Sequence, residues 1–212
     1  MTRRRASYRS LVSLQRDNAG CRACLEHGFP LGSFPVFEGH EGQRAYMLGQ
    51  APGVVEGEER RPWRGRAGRT LRRWLGLGED EFYATFYCAS VTRCYPGRHP
   101  SGRGDRRPAP REIALCAPWR EWELRLLRPR LVVPVGGLAV RELLGLARVG
   151  EAVGRSFALG DARAVPLPHP SGASGWLNDP ANRERLDQAL ELLQISLQTL
   201  NDDLRRNPDR FR

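Results

Sequence analysis

Four cysteines in this 212-residue chain are spaced for chemistry. Cys21 and Cys24 form a C-x-x-C turn that can aim two thiolates at one metal. Cys94 follows an apolar run, and Cys116 falls in the segment after it. Four thiolates from three segments could close a tetrahedral zinc site or hold an iron–sulfur cluster. Sulfur ligation alone does not choose between them. The pair Cys21 and Cys24 also reads as a redox dithiol, and the metal-free alternative is two reactive and two buried thiols. Cys88 sits inside the apolar run 86–91 and is expected to be a small core residue. Five cysteines, with no apolar stretch behind the basic residues 1–5, argue against a disulfide framework and for a cytoplasmic protein.

A second pattern concerns where the unusual residues fall. Four apolar runs each stop in a tight polar segment rich in Gly and Pro. Residues 45–48 run into Gly49-Gln50-Ala51-Pro52-Gly53. Residues 86–91 run into Thr92-Arg93-Cys94-Tyr95-Pro96-Gly97. Residues 131–135 run into Gly136-Gly137, and 164–167 into Pro168-His169-Pro170-Ser171-Gly172. Ligands of open α/β sheets bind outside the carboxyl ends of the strands, so this pattern points to an active site there.

Those runs are the expected strands. Helical spacing predicts helices over residues 7–17, 67–75, 110–127, 138–146 and 182–204, the last with a leucine stripe. Residues 53–66 and 98–107 read as charged, Gly-rich loops. Strands alternating with helices imply an α/β fold with a mostly parallel sheet covered on both faces. The length suits a single domain over 1–212, with a basic arm at 1–6 and a C-terminal helix and tail at 182–212. No membrane span is expected.

The charge narrows the partners. The 34 basic residues are all arginine, against 24 acidic ones, giving a net charge of +10. Arg makes bidentate contacts with phosphate, and an excess of this size is an electrostatic footprint for nucleic acid. A GC-rich genome explains Arg over Lys but not the excess over acid. With no lysine, no side chain can form a Schiff base with a sugar or carbonyl substrate.

Taken in order, the motifs resemble the uracil-DNA glycosylase superfamily, most closely its iron–sulfur, family 4-like branch. Gly49-Gln50-Ala51-Pro52-Gly53 is similar to that branch's Gly-Glu-Ala-Pro-Gly. Arg61-Pro62-Trp63 with Gly65-Arg66-Ala67-Gly68 is similar to its Gly-Arg-Pro-Phe-x-Gly-x-Ala-Gly segment. Ser90-Val91-Thr92-Arg93-Cys94-Tyr95-Pro96 is similar to its strand-two motif, where Asn is usual in place of Ser90. Residues 110–116 are similar to its Pro-x-Glu-x-x-x-Cys helix start, and His169-Pro170-Ser171 to its second motif. The resemblance covers residues 17–180.

It implies a three-layer α/β/α fold around a four-stranded parallel sheet, and a structural 4Fe–4S cluster, rather than zinc, on Cys21, Cys24, Cys94 and Cys116. It implies a monofunctional hydrolase that cuts the N-glycosidic bond of uracil in single- or double-stranded DNA and leaves an abasic site for base excision repair. A monomer associated with the nucleoid through DNA is expected. The missing lysine agrees with hydrolysis rather than strand cutting.

The residues then take roles. His169 would donate to the leaving base, where a donor aimed at developing charge is worth several kcal/mol. Glu56 would hold the water, with Glu58 and Glu59 as neighbours able to do the same. Gln50 would stand at the pocket wall in place of the usual Glu. Ala51, Trp63, Ser90 and Ser171 would bind the base, with Trp63 stacking on it. Ser90 can both donate and accept, but with a shorter reach than Asn, which opens specificity toward hypoxanthine or xanthine. Arg64, Arg66 and Arg69, with Arg98, Arg103, Arg106 and Arg107, would track phosphates. Ala173 stands where relatives offer Leu to fill the gap left by the base, so Trp176 or Leu177 would take that part. The alternative function is a non-catalytic iron–sulfur or zinc module that recognises damaged DNA. A phosphate-loop protein is excluded by motif form, since neither G-x-G-x-x-G nor Gly-Lys-Ser/Thr occurs.

Overall fold

Strands that are apolar on both faces need cover on both sides, and this requirement shapes the molecule. The computed structural model describes residues 4–102, 104–171 and 175–206. Residues 1–3 of the basic arm, Arg103, Ala173 and 207–212 of the expected tail lie outside them. Strands β1 (Ala45–Gly49), β2 (Phe86–Ser90) and β3 (Leu131–Pro134) are buried along their whole length. With β4 (Phe157–Leu159) and β5 (Ala162–Ala164) they form one sheet in the order β2-β1-β3-β5-β4. Pairing is parallel throughout except between β4 and β5.

Alternate side chains point to opposite faces of a strand. Met47, Phe86, Leu131, Val133 and Val165 face one core with Leu71, Phe82, Leu186 and Leu193. Tyr46, Leu48, Tyr87, Val132 and Ala164 face the other with Leu11, Leu14, Trp119 and Leu138. The first layer holds α4 (Arg66–Leu75), α5 (Glu79–Thr85) and α8 (Pro180–Arg206). The second holds α1 (Leu11–Ala19), α6 (Pro110–Leu127) and α7 (Gly137–Leu144). This is the expected three-layer arrangement.

The strand count differs from expectation: among the described residues there are five strands, not four. The extra one is β4, joined to β5 through Gly160-Asp161, with Leu159 opposite Ala162. Gly160 supplies the positive φ (57°) that a tight hairpin needs. The expected strand over 164–167 is the parallel continuation of β5. The amides of Val165 and Leu167 donate to the carbonyls of Val132 and Pro134, each at 2.9 Å. Pairing therefore persists to the residue pair before His169. Among the helices that were not predicted are α2 (Ala23–Glu26), α5, and α3 (Val54–Glu59) within the expected loop 53–66.

A charge pair is buried between the sheet and α6. Arg93 leaves the end of β2 and turns into the second core, where it is 1 % exposed; Glu123 of α6 is 0 % exposed. Their side chains meet at 2.5 Å. The hydroxyls of Tyr46 and Tyr87 donate to the same carboxylate at 2.6 and 3.2 Å. Removing one partner of a buried pair strands the other charge. Glu123→Leu should lower unfolding free energy by about 3–5 kcal/mol. The double variant Arg93→Met, Glu123→Leu should recover most of that loss, measured by denaturant unfolding.

Candidate active site

The carboxyl ends of β1, β2, β3 and the extended β5 open into one pocket. Its walls include Gln50, Ala51, Trp63, Ser90, His169 and Ser171. All the residues expected to bind the base or carry the chemistry are brought together there. Trp63 is nearly buried, with its ring against Gly49, where an added Cβ would lie 2.9 Å from the indole. Its backbone is left-handed (φ 60°), a conformation that a bulky residue keeps only when its surroundings enforce it. Arg72 donates to the Trp63 carbonyl at 2.9 Å, and Tyr83 to that of Pro62 at 2.5 Å. Gly68 passes beneath: a Cβ there would fall 1.7 Å from the Trp63 carbonyl oxygen.

His169 stands at the pocket mouth. The Ser171 amide donates to its Nδ1 at 3.3 Å, and Ser171 Oγ lies 2.9 Å from the same nitrogen. A backbone N–H can only donate, so Nδ1 accepts and Nε2 carries the proton of the neutral ring. Desolvation lowers the His169 pKa, opposed by the charge of Glu56. The lowered pKa favours the neutral form of the ring, with its proton on Nε2.

Of the three glutamates considered for water, only Glu56 lines the pocket. Its carboxylate also braces two loops, accepting from Gly53 N–H at 3.1 Å and Gly65 N–H at 2.7 Å. Glu58 and Glu59 are exposed, and Glu59 pairs with Arg64. Asp105, which the sequence reading did not single out, adds a second carboxylate to the wall and accepts from Tyr95 Oη at 2.9 Å. It is the only acid in the stretch 98–107, a signal that could have found it. Trp176 and Leu177 pack against the first core.

Cys21, Cys24, Cys94 and Cys116 all line a second cavity, between α1, α2 (Ala23–Glu26), α6 and the exit of β2. Among the described residues no group of three or more His, Cys, Asp or Glu side chains is disposed to hold a metal ion. The cavity nevertheless fits a polar guest. Asn18, Thr92 and Arg93 line it and carry buried nitrogen or oxygen atoms with no protein partner. Burial pushes the Cys24 thiol up to about 12, and raises those of Cys94 and Cys116 as well. Such thiols ionise only beside strong positive charge, which a metal centre supplies. The Arg93 amide already donates to Cys116 Sγ at 3.3 Å. Cys88 is fully buried in the first core, as expected, and its thiol is raised by burial.

The profile of the Uracil DNA glycosylase superfamily matches residues 37–194. The chain belongs to that superfamily. It is 28% identical over 131 residues to the type-4 uracil-DNA glycosylase of Sulfurisphaera tokodaii, covering 60% of this chain and 54% of that protein. It is 29% identical over 140 residues to the Archaeoglobus fulgidus type-4 enzyme, covering 65% of each. The Thermotoga maritima type-4 enzyme is 27% identical over 157 residues, covering 71% of this chain and 76% of that protein. The chain thus spans about half the length of the first relative and about two thirds of the second.

The arginines of this superfamily member divide into two groups. Arg64 is engaged by Glu59 and Glu79, and Arg106 pairs with Glu112 at 2.6 and 2.9 Å. Both are engaged in ion pairs within the protein, and Arg106 also lines the pocket. Arg66 is exposed on the pocket wall, and Arg98 and Arg107 are exposed on the neighbouring loop. No ion pair engages these three among the described residues.

Glu112 fastens that loop. Burial alone would raise its pKa, but the hydrogen bonds from Arg106 and the Ala109 amide outweigh burial and hold it below its ordinary value. A lowered carboxylate stabilises the fold above its unfolded pKa, about 4.3, and that stability is lost as pH falls through the folded value. The melting temperature should therefore fall more steeply on acidification in the unaltered protein than in Glu112→Gln, followed by circular dichroism.

Proposed function

We propose that this protein hydrolyses the N-glycosidic bond of uracil in DNA and leaves an abasic site. The observation that carries the reading is the neutral His169 at the pocket mouth, its tautomer set by the Ser171 amide. The flipped base would enter the pocket at the strand ends and lie against Trp63. As the bond between C1′ and the base nitrogen breaks, electrons move onto the base, and Nε2–H of His169 donates to the carbonyl oxygen that gains charge. A neutral donor suits this task because its proton stays in place without charging the resting site. Glu56, with one backbone amide on each carboxylate oxygen, keeps lone pairs for the attacking water, with Asp105 nearby. Gln50 frames the wall through its carbonyl, which accepts from the Thr92 amide at 3.2 Å. Arg66, Arg98 and Arg107 supply a phosphate-binding rim.

Cys21, Cys24, Cys94 and Cys116 would hold a 4Fe–4S cluster. When bound, it would serve as a crosslink between the C-x-x-C turn, the exit of β2 and α6. The four thiols reach one shared cavity from three segments, the supply of sulfur ligands that such a cluster needs.

Cleavage of end-labelled oligonucleotides carrying uracil, hypoxanthine or xanthine, with alkali to break abasic sites, tests the activity. Strand breaks at uracil only after alkali are expected; no release of any base would overturn the reading. His169→Ala should cut the single-turnover rate by about 10²–10³-fold while DNA affinity in a binding assay stays nearly unchanged. Ser90→Asn should raise preference for uracil over hypoxanthine by roughly tenfold, one hydrogen bond's worth, in the ratio of single-turnover rates.

A further inference from the structure

The buried polar atoms that lack partners are concentrated in one place. Seven such side-chain atoms occur among the described residues, and five belong to Asn18, Thr92 and Arg93. All three residues line the cysteine cavity. Asn18 is the clearest case. It is 0 % exposed, and neither Nδ2 nor Oδ1 has a partner. A buried amide without partners is costly, and native interiors rarely leave one so. It also sits next to the ligand turn, because the Asn18 carbonyl accepts from the Cys21 amide at 2.9 Å.

The chemistry of the cavity limits what could satisfy it. Thiolate and sulfide sulfurs accept hydrogen bonds and give none, so only Nδ2 can serve them. Arg93 points the same way: its Nε and Nη1 are unpartnered, and its amide already donates to Cys116. We propose that Asn18 is a positioning residue for the metal–sulfur group, donating from Nδ2 to one of its sulfurs. It thereby raises that group's reduction potential and slows its loss to oxidants. The inference rests on the iron–sulfur reading of the four cysteines. A hydrogen bond to sulfur draws off negative charge and so favours the reduced form.

The test compares anaerobically purified holoprotein with Asn18→Leu, which keeps the side chain's shape, and Asn18→Asp, which replaces the donor by an anion. Iron and acid-labile sulfide are measured first. Zinc without sulfide in the unaltered protein would overturn the cofactor reading itself, a failure distinct from that of Asn18. With iron and sulfide present, Asn18→Leu should shift the potential negative, shift the Fe–S bands in resonance Raman spectra and shorten the cluster's half-life in air several-fold. Asn18→Asp should move all three further in the same direction. Potential and Fe–S bands unchanged in Asn18→Leu would overturn the role, whatever its melting temperature did. Should the variants not fold, the unaltered protein labelled with 15N-asparagine decides. Nitrogen coupling at the reduced cluster in pulsed EPR supports the hydrogen bond, and its absence overturns it.

Discussion

Parallel pairing is the constraint on which the rest depends. It sends β1, β2, β3 and β5 out of the sheet at one edge, so four separate stretches of chain must turn at one rim. Those turns carry Gln50, Ser90, Gly136 and His169 into a shared pocket. A sheet buried on both faces is also rigid at its strand ends, which suits chemistry that needs a donor held in a fixed place.

Carboxylates do much of the remaining assembly. Glu56 joins the turn after β1 to the start of α4. Glu112 joins the arginine-rich loop to α6, Glu38 takes Arg61 in a two-pronged pair, and Glu79 collects Arg61, Arg64 and Arg72. In a chain with ten more basic than acidic residues, these four acids are placed where separate segments must be joined. The unpaired surplus is left outside, where Arg66, Arg98 and Arg107 stand.

The sequence made the main elements legible where local physics is strong. Helix α6 begins at Pro110, with Glu112 capping backward onto the Ala109 amide, and both signals are local. The continuous apolar runs of β1 to β3 mark buried parallel strands. Helix α3 was hidden because its six residues include Gly57 and carry no apolar stripe. Strand β4 was hidden by its brevity, although Gly160-Asp161 marked its turn. The convergence of the pocket residues was legible from motif order. The double duty of Glu56 was not, because its second partner, Gly65, lies nine residues away in sequence. The orphaned amide of Asn18 was equally invisible, since nothing in a helix sequence says which polar side chain will be sealed from water.

The exits of β1 and β2 are stitched together: the amides of Val91 and Thr92 donate to the carbonyls of Gly49 and Gln50, at 2.9 and 3.2 Å. Two residues further on, the same stretch delivers Cys94 to the other cavity. For anyone building chimaeras among superfamily members, residues 49–50 and 90–94 are therefore one graft. Transplanting either segment without the other would import a wall of the base pocket on a seam cut for a different neighbour.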